Sequence, residues 1–259
     1  MGFGRLFGVD FAGAKRADRT IFIAEGVRRG EAVEVVSLQS AGERFGVKDG
    51  AAAHAALAEL MRESRDALFA VDVPFSFPAA LMPEGWRAFA DAYPARFEDA
   101  DAMRAWAREK APSELRRATD LEAKTPFAVY NLRLYRQTDA AMRRLVAPLA
   151  GDVTFAPMEP PAADGAVIVE ACPASALKER GLYRPYKGRS EEARAQRAAL
   201  LDDLESRVAL SAASRKKALT DIGGDALDAL LCLEIAARLS PADLAPREEA
   251  DRIEGRVYF

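Results

Sequence analysis

Three apolar runs along the chain each end on an acidic residue. Leu6-Phe7-Gly8-Val9 closes on Asp10, Ala67-Leu68-Phe69-Ala70-Val71 on Asp72, and Ala166-Val167-Ile168-Val169 on Glu170. The first run belongs to a three-stranded meander over Leu6 to Asp10, Thr20 to Gly26 and Ala32 to Ser40. Val27-Arg28-Arg29-Gly30-Glu31 is the turn between the second and third strands, since β-rich runs punctuated by polar residues and glycine form hairpins. Ala51 to Ser64, with Leu57, Leu60 and Met61 at helical spacing, predicts a helix. The run ending at Asp72 is apolar on both faces, which marks a buried parallel strand. A right-handed crossover through that helix returns the chain beside strand one, so Asp10 and Asp72 are expected side by side.

After Asp72-Val73-Pro74-Phe75-Ser76-Phe77-Pro78 the alternation disappears. Residues 78–155 carry Trp86, Trp106, Tyr93, Tyr130 and Tyr135 among many arginines, and they predict a helical insertion over the sheet. Pro157, Pro160 and Pro161 mark a loop before a fifth strand at Ala166 to Glu170. Helical patterns then run over Pro173 to Arg180, Ser190 to Val208 and Ser214 to Leu239. The whole chain, 1–259, thus predicts a single α/β domain containing the insertion.

The sharpest local signal is Ile222-Gly223-Gly224-Asp225-Ala226-Leu227-Asp228-Ala229-Leu230-Leu231-Cys232-Leu233. Apart from Asp228, residues 226 to 233 are apolar all round, so this helix is expected to be buried. Asp225 and Asp228 are three residues apart and share a face. Asp225 reads equally well as an N-cap. Asp228, one turn into a buried helix, has no such ordinary role. Unpaired buried carboxylates are costly, so acidic residues repeated at the ends of core elements point to a shared cation, and oxygen donors select a hard one, Mg²⁺ or Mn²⁺.

Composition adds limits. The chain has 259 residues, half of them apolar, and a formal charge of −3, which argues against a broad nucleic-acid coat. Within residues 101–150, however, ten Lys or Arg stand against six Asp or Glu, so the insertion is locally basic. No apolar run reaches the roughly 20 residues of a membrane span, and the N-terminus enters a strand directly, so a cytoplasmic protein is expected. Cys172 and Cys232 sit in apolar surroundings and read as buried thiols. Oligomeric state is left open.

Taken together, Gly8-Val9-Asp10, Asp72-Val73-Pro74-Phe75-Ser76, Glu170-Ala171-Cys172-Pro173, Tyr186-Lys187-Gly188, Asp225-Ala226-Leu227-Asp228-Ala229 and Glu254-Gly255-Arg256-Val257-Tyr258 resemble the family catalogued as domain of unknown function 429. The members of that family are regarded as predicted nucleases of the ribonuclease H-like fold. The resemblance implies a mixed five-stranded sheet in spatial order 3-2-1-4-5. It also implies that Asp10, Asp72, Asp225 and Asp228 are metal ligands, with Glu170 as an additional catalytic carboxylate. The catalytic glutamate that true ribonucleases H carry after strand three has no clear counterpart, as only Glu59 and Glu63 are near.

The expected activity is hydrolysis of a phosphodiester, with Mg²⁺ or Mn²⁺ activating water and the substrate being nucleic acid or a nucleotide. Phosphate contacts are expected from Lys15, Arg16 and Arg19, from Arg133 and Arg136, and from Lys187 and Arg189. Tyr183-Arg184-Pro185-Tyr186-Lys187-Gly188-Arg189 mixes aromatic and cationic residues as single-strand binders do. The only histidine, His54, lies in packing sequence, which argues against a triad hydrolase. Two rivals stand beside this reading. One is an actin-like phosphotransferase or ATPase, loosely fitted by Gly8-Val9-Asp10-Phe11-Ala12-Gly13; the other is a non-catalytic binding protein.

Overall fold

The computed structural model describes residues 2–30, 32–126, 129–160 and 165–259. Glu31 of the expected turn and Pro161 of the expected loop lie outside them. Among the described residues eight strands form one mixed sheet: β1 (Arg5–Asp10), β2 (Phe22–Arg29), β3 (Ala32–Ser40), β4 (Ala67–Asp72), β5 (Thr154–Phe155), β6 (Val167–Ala171), β7 (Val208–Ala209) and β8 (Val257–Tyr258). Their order is β5-β6-β4-β1-β2-β3-β7, with β8 also on β6. The meander β1-β2-β3 is antiparallel, whereas β4 runs parallel to both β1 and β6.

The sheet therefore departs from the expected five strands. Three two-residue strands extend it: β5 at the end of the insertion, β7 beside β3 and β8 at the far end of β6. Each is too short to carry a period-2 pattern, which is why sequence alternation does not reveal it. Two helical spans are corrected as well. The Ser190 to Val208 pattern ends as a helix at Glu205, leaving Val208 to pair with Val33. The Ser214 to Leu239 pattern divides into helices Ala212–Thr220 and Asp225–Arg238, broken where Gly224 adopts φ +80°. That left-handed geometry suits glycine.

Both faces of the sheet are covered, as strands apolar on both sides require. One face presents Phe7, Val9, Phe69, Val71 and Ile168 to the Gly50–Glu63 helix and the insertion. Phe7 and Phe69 stack there at 4.2 Å. The insertion consists mainly of helices Trp86–Arg96, Ala100–Lys110, Ala118–Glu122 and Tyr135–Ala141. Its aromatic residues pack on one another, with Trp106 against Phe89 and Phe97, while Trp86 packs on Phe155 of β5 and donates to the Phe75 carbonyl oxygen, so both tryptophans serve packing.

The opposite face presents Leu6, Leu68, Ala70, Val167 and Val169 to the helices Glu191–Glu205 and Asp225–Arg238. Gly8 sets the closeness of the second contact. A Cβ at Gly8 would lie 2.0 Å from the Ala229 carbonyl oxygen and 2.2 Å from the Leu233 nitrogen. The obstacle is backbone, which cannot swing aside. Gly8→Ala is expected to destabilise by about 3 kcal/mol or more and to push this helix off β1; a urea midpoint unchanged from wild type would refute that.

Candidate metal centre at the strand ends

Strand register brings the first two carboxylates together. Asp10 and Asp72 are the last residues of β1 and β4 and stand opposite each other in the parallel pair. By alternation they share the face of Gly8 and Ala70, the face that the Asp225–Arg238 helix covers. With that helix lying directly on Gly8, Asp228 reaches the same place. One carboxylate oxygen from each of Asp10, Asp72 and Asp228 lies within 4.8 Å of the others.

Asp225 occupies the rim, half-buried. It is not the helix cap: Asp221 takes that role, accepting from Gly223 N at 3.1 Å and from Ala226 N at 2.9 Å. Lys187 spans the two helical acids, its Nζ 2.7 Å from Asp228 Oδ2 and 4.0 Å from Asp225 Oδ1. The Tyr186 hydroxyl donates to Asp228 Oδ1 at 2.6 Å.

Glu170 takes a different place. It follows Ile168 by two residues in β6 and stands opposite Val71, so alternation turns it to the insertion side of the sheet. There Arg117 meets it in a two-pronged pair, at 2.7 and 2.6 Å. Arg117 is 1% exposed and also binds Asp120 at 2.7 Å and Ser76 Oγ at 2.9 Å. Glu254 closes this node: its carboxylate accepts from Ala79 N and Ala118 N, and its carbonyl accepts from Ser76 Oγ. Glu170 is thus not part of the three-carboxylate cluster, although its charge still helps raise Asp72. Arg117 went unnoticed in the sequence because its polar surroundings carry no periodic signal.

The expected phosphate-binding cations are dispersed. Lys187 is the one that touches a cluster carboxylate. Lys15 and Arg189 are exposed, and Arg16 pairs with Asp18. Arg133 is exposed, and Arg136 is held by Asp101 and the Tyr135 hydroxyl. Gln137 is a residue that sequence reasoning missed. From the insertion its amide donates to the carbonyl oxygens of Phe11, at 2.6 Å, and Asp72, at 3.0 Å, tying the loops after β1 and β4 together. His54 is buried, its Nε2 is 2.8 Å from the Ala12 carbonyl oxygen, and burial lowers its pKa. Cys172 and Cys232 are buried free thiols that burial pushes up.

Electrostatics of the cluster are those of too many negative charges. Burial, then Asp228 and Asp72, push Asp10 well up. Burial and Asp228 push Asp72 to about 8, and burial raises Asp225 to about 6. Asp228 is raised by burial while Lys187 and Tyr186 restrain it. Lys187 itself is held up by Asp228, Asp10 and Asp225 against the partial desolvation of its ammonium at the cluster.

A pH dependence follows. In the unfolded chain Asp72 returns to its ordinary value of 3.8, so between 3.8 and about 8 the folded protein binds more protons than the unfolded one. The contribution of Asp72 to stability therefore falls as pH rises through that window. In chelator, the unfolding temperature of wild type relative to Asp72→Asn should drop from about pH 4 to about pH 8. A flat or rising difference would contradict the crowding of these acids.

Fold and site define an α/β protein whose mixed sheet carries a carboxylate cluster at the ends of two adjacent parallel strands, closed by a buried helix. Over residues 8–250 the chain matches the family described as protein of unknown function (DUF429), and it belongs to that family. Searches of curated proteins and of solved structures find no match. No helix among the described residues is long and apolar enough to cross a membrane.

Proposed function

We propose that this protein is a Mg²⁺- or Mn²⁺-dependent phosphodiester hydrolase, acting on nucleic acid or a nucleotide and built on a ribonuclease H-like sheet. The observation that carries the proposal is the convergence of Asp10, Asp72 and Asp228 within 4.8 Å. The donor set fits a hard divalent cation: all three donors are carboxylate oxygens, and they come from three separate elements of a rigid core. Burial first, and neighbouring carboxylates second, raise all three pKa values, so a cation bound among them would favour their charged forms. The adjacency β3-β2-β1-β4-β6 of the five longer strands supports the ribonuclease H-like reading.

Asp10, Asp72 and Asp228 would hold the ion, with Asp225 at the rim. Such an ion would lower the pKa of bound water and stabilise negative charge developing on the phosphoryl and leaving-group oxygens. Tyr186 fixes the orientation of Asp228 through Oδ1. Gln137 holds the backbone just past the strand ends through Phe11 and Asp72, whose spacing the β1–β4 pairing sets. Lys187 provides a cationic group for phosphate oxygens beside the cluster. His54, buried against Ala12, contributes no general base.

The test is hydrolysis of bis(4-nitrophenyl) phosphate and of labelled single-stranded, duplex and branched DNA and RNA, with Mn²⁺ and with EDTA. Cleavage that needs metal and is lost in Asp10→Asn supports the proposal. Magnesium-dependent ATP turnover without phosphodiester cleavage favours the phosphotransferase. Ligand binding without turnover favours the binding protein.

A further inference from the structure

Asp228 enters the cluster with both carboxylate oxygens engaged. Tyr186 holds Oδ1 at 2.6 Å and Lys187 holds Oδ2 at 2.7 Å. These sequence neighbours hold it in different ways. Tyr186 is buried in the core beneath the sheet, whereas the Lys187 side chain is 52% exposed. The backbone on either side of Lys187 is fixed. Buried Arg197 donates to the carbonyl oxygens of Tyr186 and Gly188, and Gly188 N donates to Ile222 O at 2.7 Å. Lys187 can therefore leave Asp228 by rotating its own side chain toward solvent, with the loop unmoved.

Charge supplies the reason to leave. Among the described residues a single ammonium contacts an acidic group of four, Asp10, Asp72, Asp225 and Asp228, and it reaches the two helical members. A divalent cation at the Asp10–Asp72–Asp228 oxygens brings twice the charge to a point nearer all three. At that distance it also repels the ammonium.

We infer that Lys187 is a tethered competitor of the metal: it occupies Asp228 Oδ2 in the metal-free protein and is displaced when a divalent cation binds, while Tyr186 stays and keeps Asp228 aimed. The inference rests on the proposed metal-binding role of the cluster. Displacement leaves the ammonium tethered at the rim, free to meet an anionic substrate oxygen. Because coupling between two sites is reciprocal, the lysine weakens metal binding by the same factor by which metal loosens the lysine.

Two measurements test it. In Mn²⁺ titration calorimetry, Lys187→Met, which removes the charge and keeps an unbranched chain, should bind about tenfold more tightly than wild type. In wild type, acetylation of the Lys187 amine, followed by peptide mass spectrometry, should rise several-fold on Mn²⁺ saturation. The second measurement needs no variant, and it separates displacement from simple repulsion by a lysine that stays in place, which would also tighten metal binding in the variant but would leave labelling unchanged. Equal or weaker affinity in Lys187→Met, or labelling that does not rise, overturns the competition and leaves the metal site standing. Absence of Mn²⁺ binding in both proteins overturns both readings.

Discussion

Asp10→Asn should abolish metal-dependent turnover and leave the metal-free protein at least as stable as wild type. The two effects share one cause. Asp10 has carboxylates around it and, among the described residues, no direct cationic partner; its pKa is raised by burial, Asp228 and Asp72, with only the more distant help of Lys187. Ionised, it is a liability that a divalent cation would turn into a ligand. Asparagine retains the shape and removes the charge. Loss of one such ligand should cost on the order of 10²–10³-fold or more in rate. In EDTA at pH 8, relief of repulsion should stabilise by about 1 kcal/mol, or about 2–4 °C in unfolding temperature for a chain of this size. Circular dichroism melts and turnover on the same preparation check both halves. A variant that melts well below wild type would show Asp10 to be a structural residue instead.

Arg117→Ala should give the opposite signature, a large loss of stability. Arg117 is the cation of a node containing Glu170, Asp120 and Glu254, all buried. Removing it leaves Glu170 and Asp120 buried without their partner, which costs about 3–5 kcal/mol in comparable cases. The node joins β6 to the Ala118–Glu122 helix and to the chain before β8, so its loss also loosens the insertion. Urea denaturation measures the loss. The triple variant Arg117→Met, Glu170→Gln, Asp120→Asn should recover most of it, because neutral partners avoid the uncompensated charge. A single variant within about 0.5 kcal/mol of wild type would show that this buried pair contributes little to stability.

The meander, the buried run to Asp72 and the register of Asp10 with Asp72 were legible because each rests on local alternation plus one topological rule, the crossover beside strand one. Asp228 was legible as a charge without an ordinary role in an apolar helix. Glu170 shows where this reasoning stopped. Its position at a strand end resembles that of Asp72, yet the face a side chain takes depends on its parity within the strand and on which residues pair across. Ile168 and Val71 share its side, so Glu170 points to the insertion. That parity becomes decisive only once the β4–β6 register is known. Gly8 carried a usable signal, a glycine inside an otherwise apolar strand, which marks close backbone approach. Arg117 and Gln137 carried none, because Glu170 and Ser76 for the one, and Phe11 and Asp72 for the other, come from segments distant along the chain, and the nearby Asp120 makes only an ordinary i,i+3 pair with Arg117.

The most direct test of the metal-centre account is anomalous diffraction from a crystal soaked in Mn²⁺. The account predicts a peak bound by carboxylate oxygens of Asp10, Asp72 and Asp228, at roughly 2–2.6 Å from them. A soaked crystal with no anomalous peak at these carboxylates, and with Lys187 still on Asp228, would contradict it.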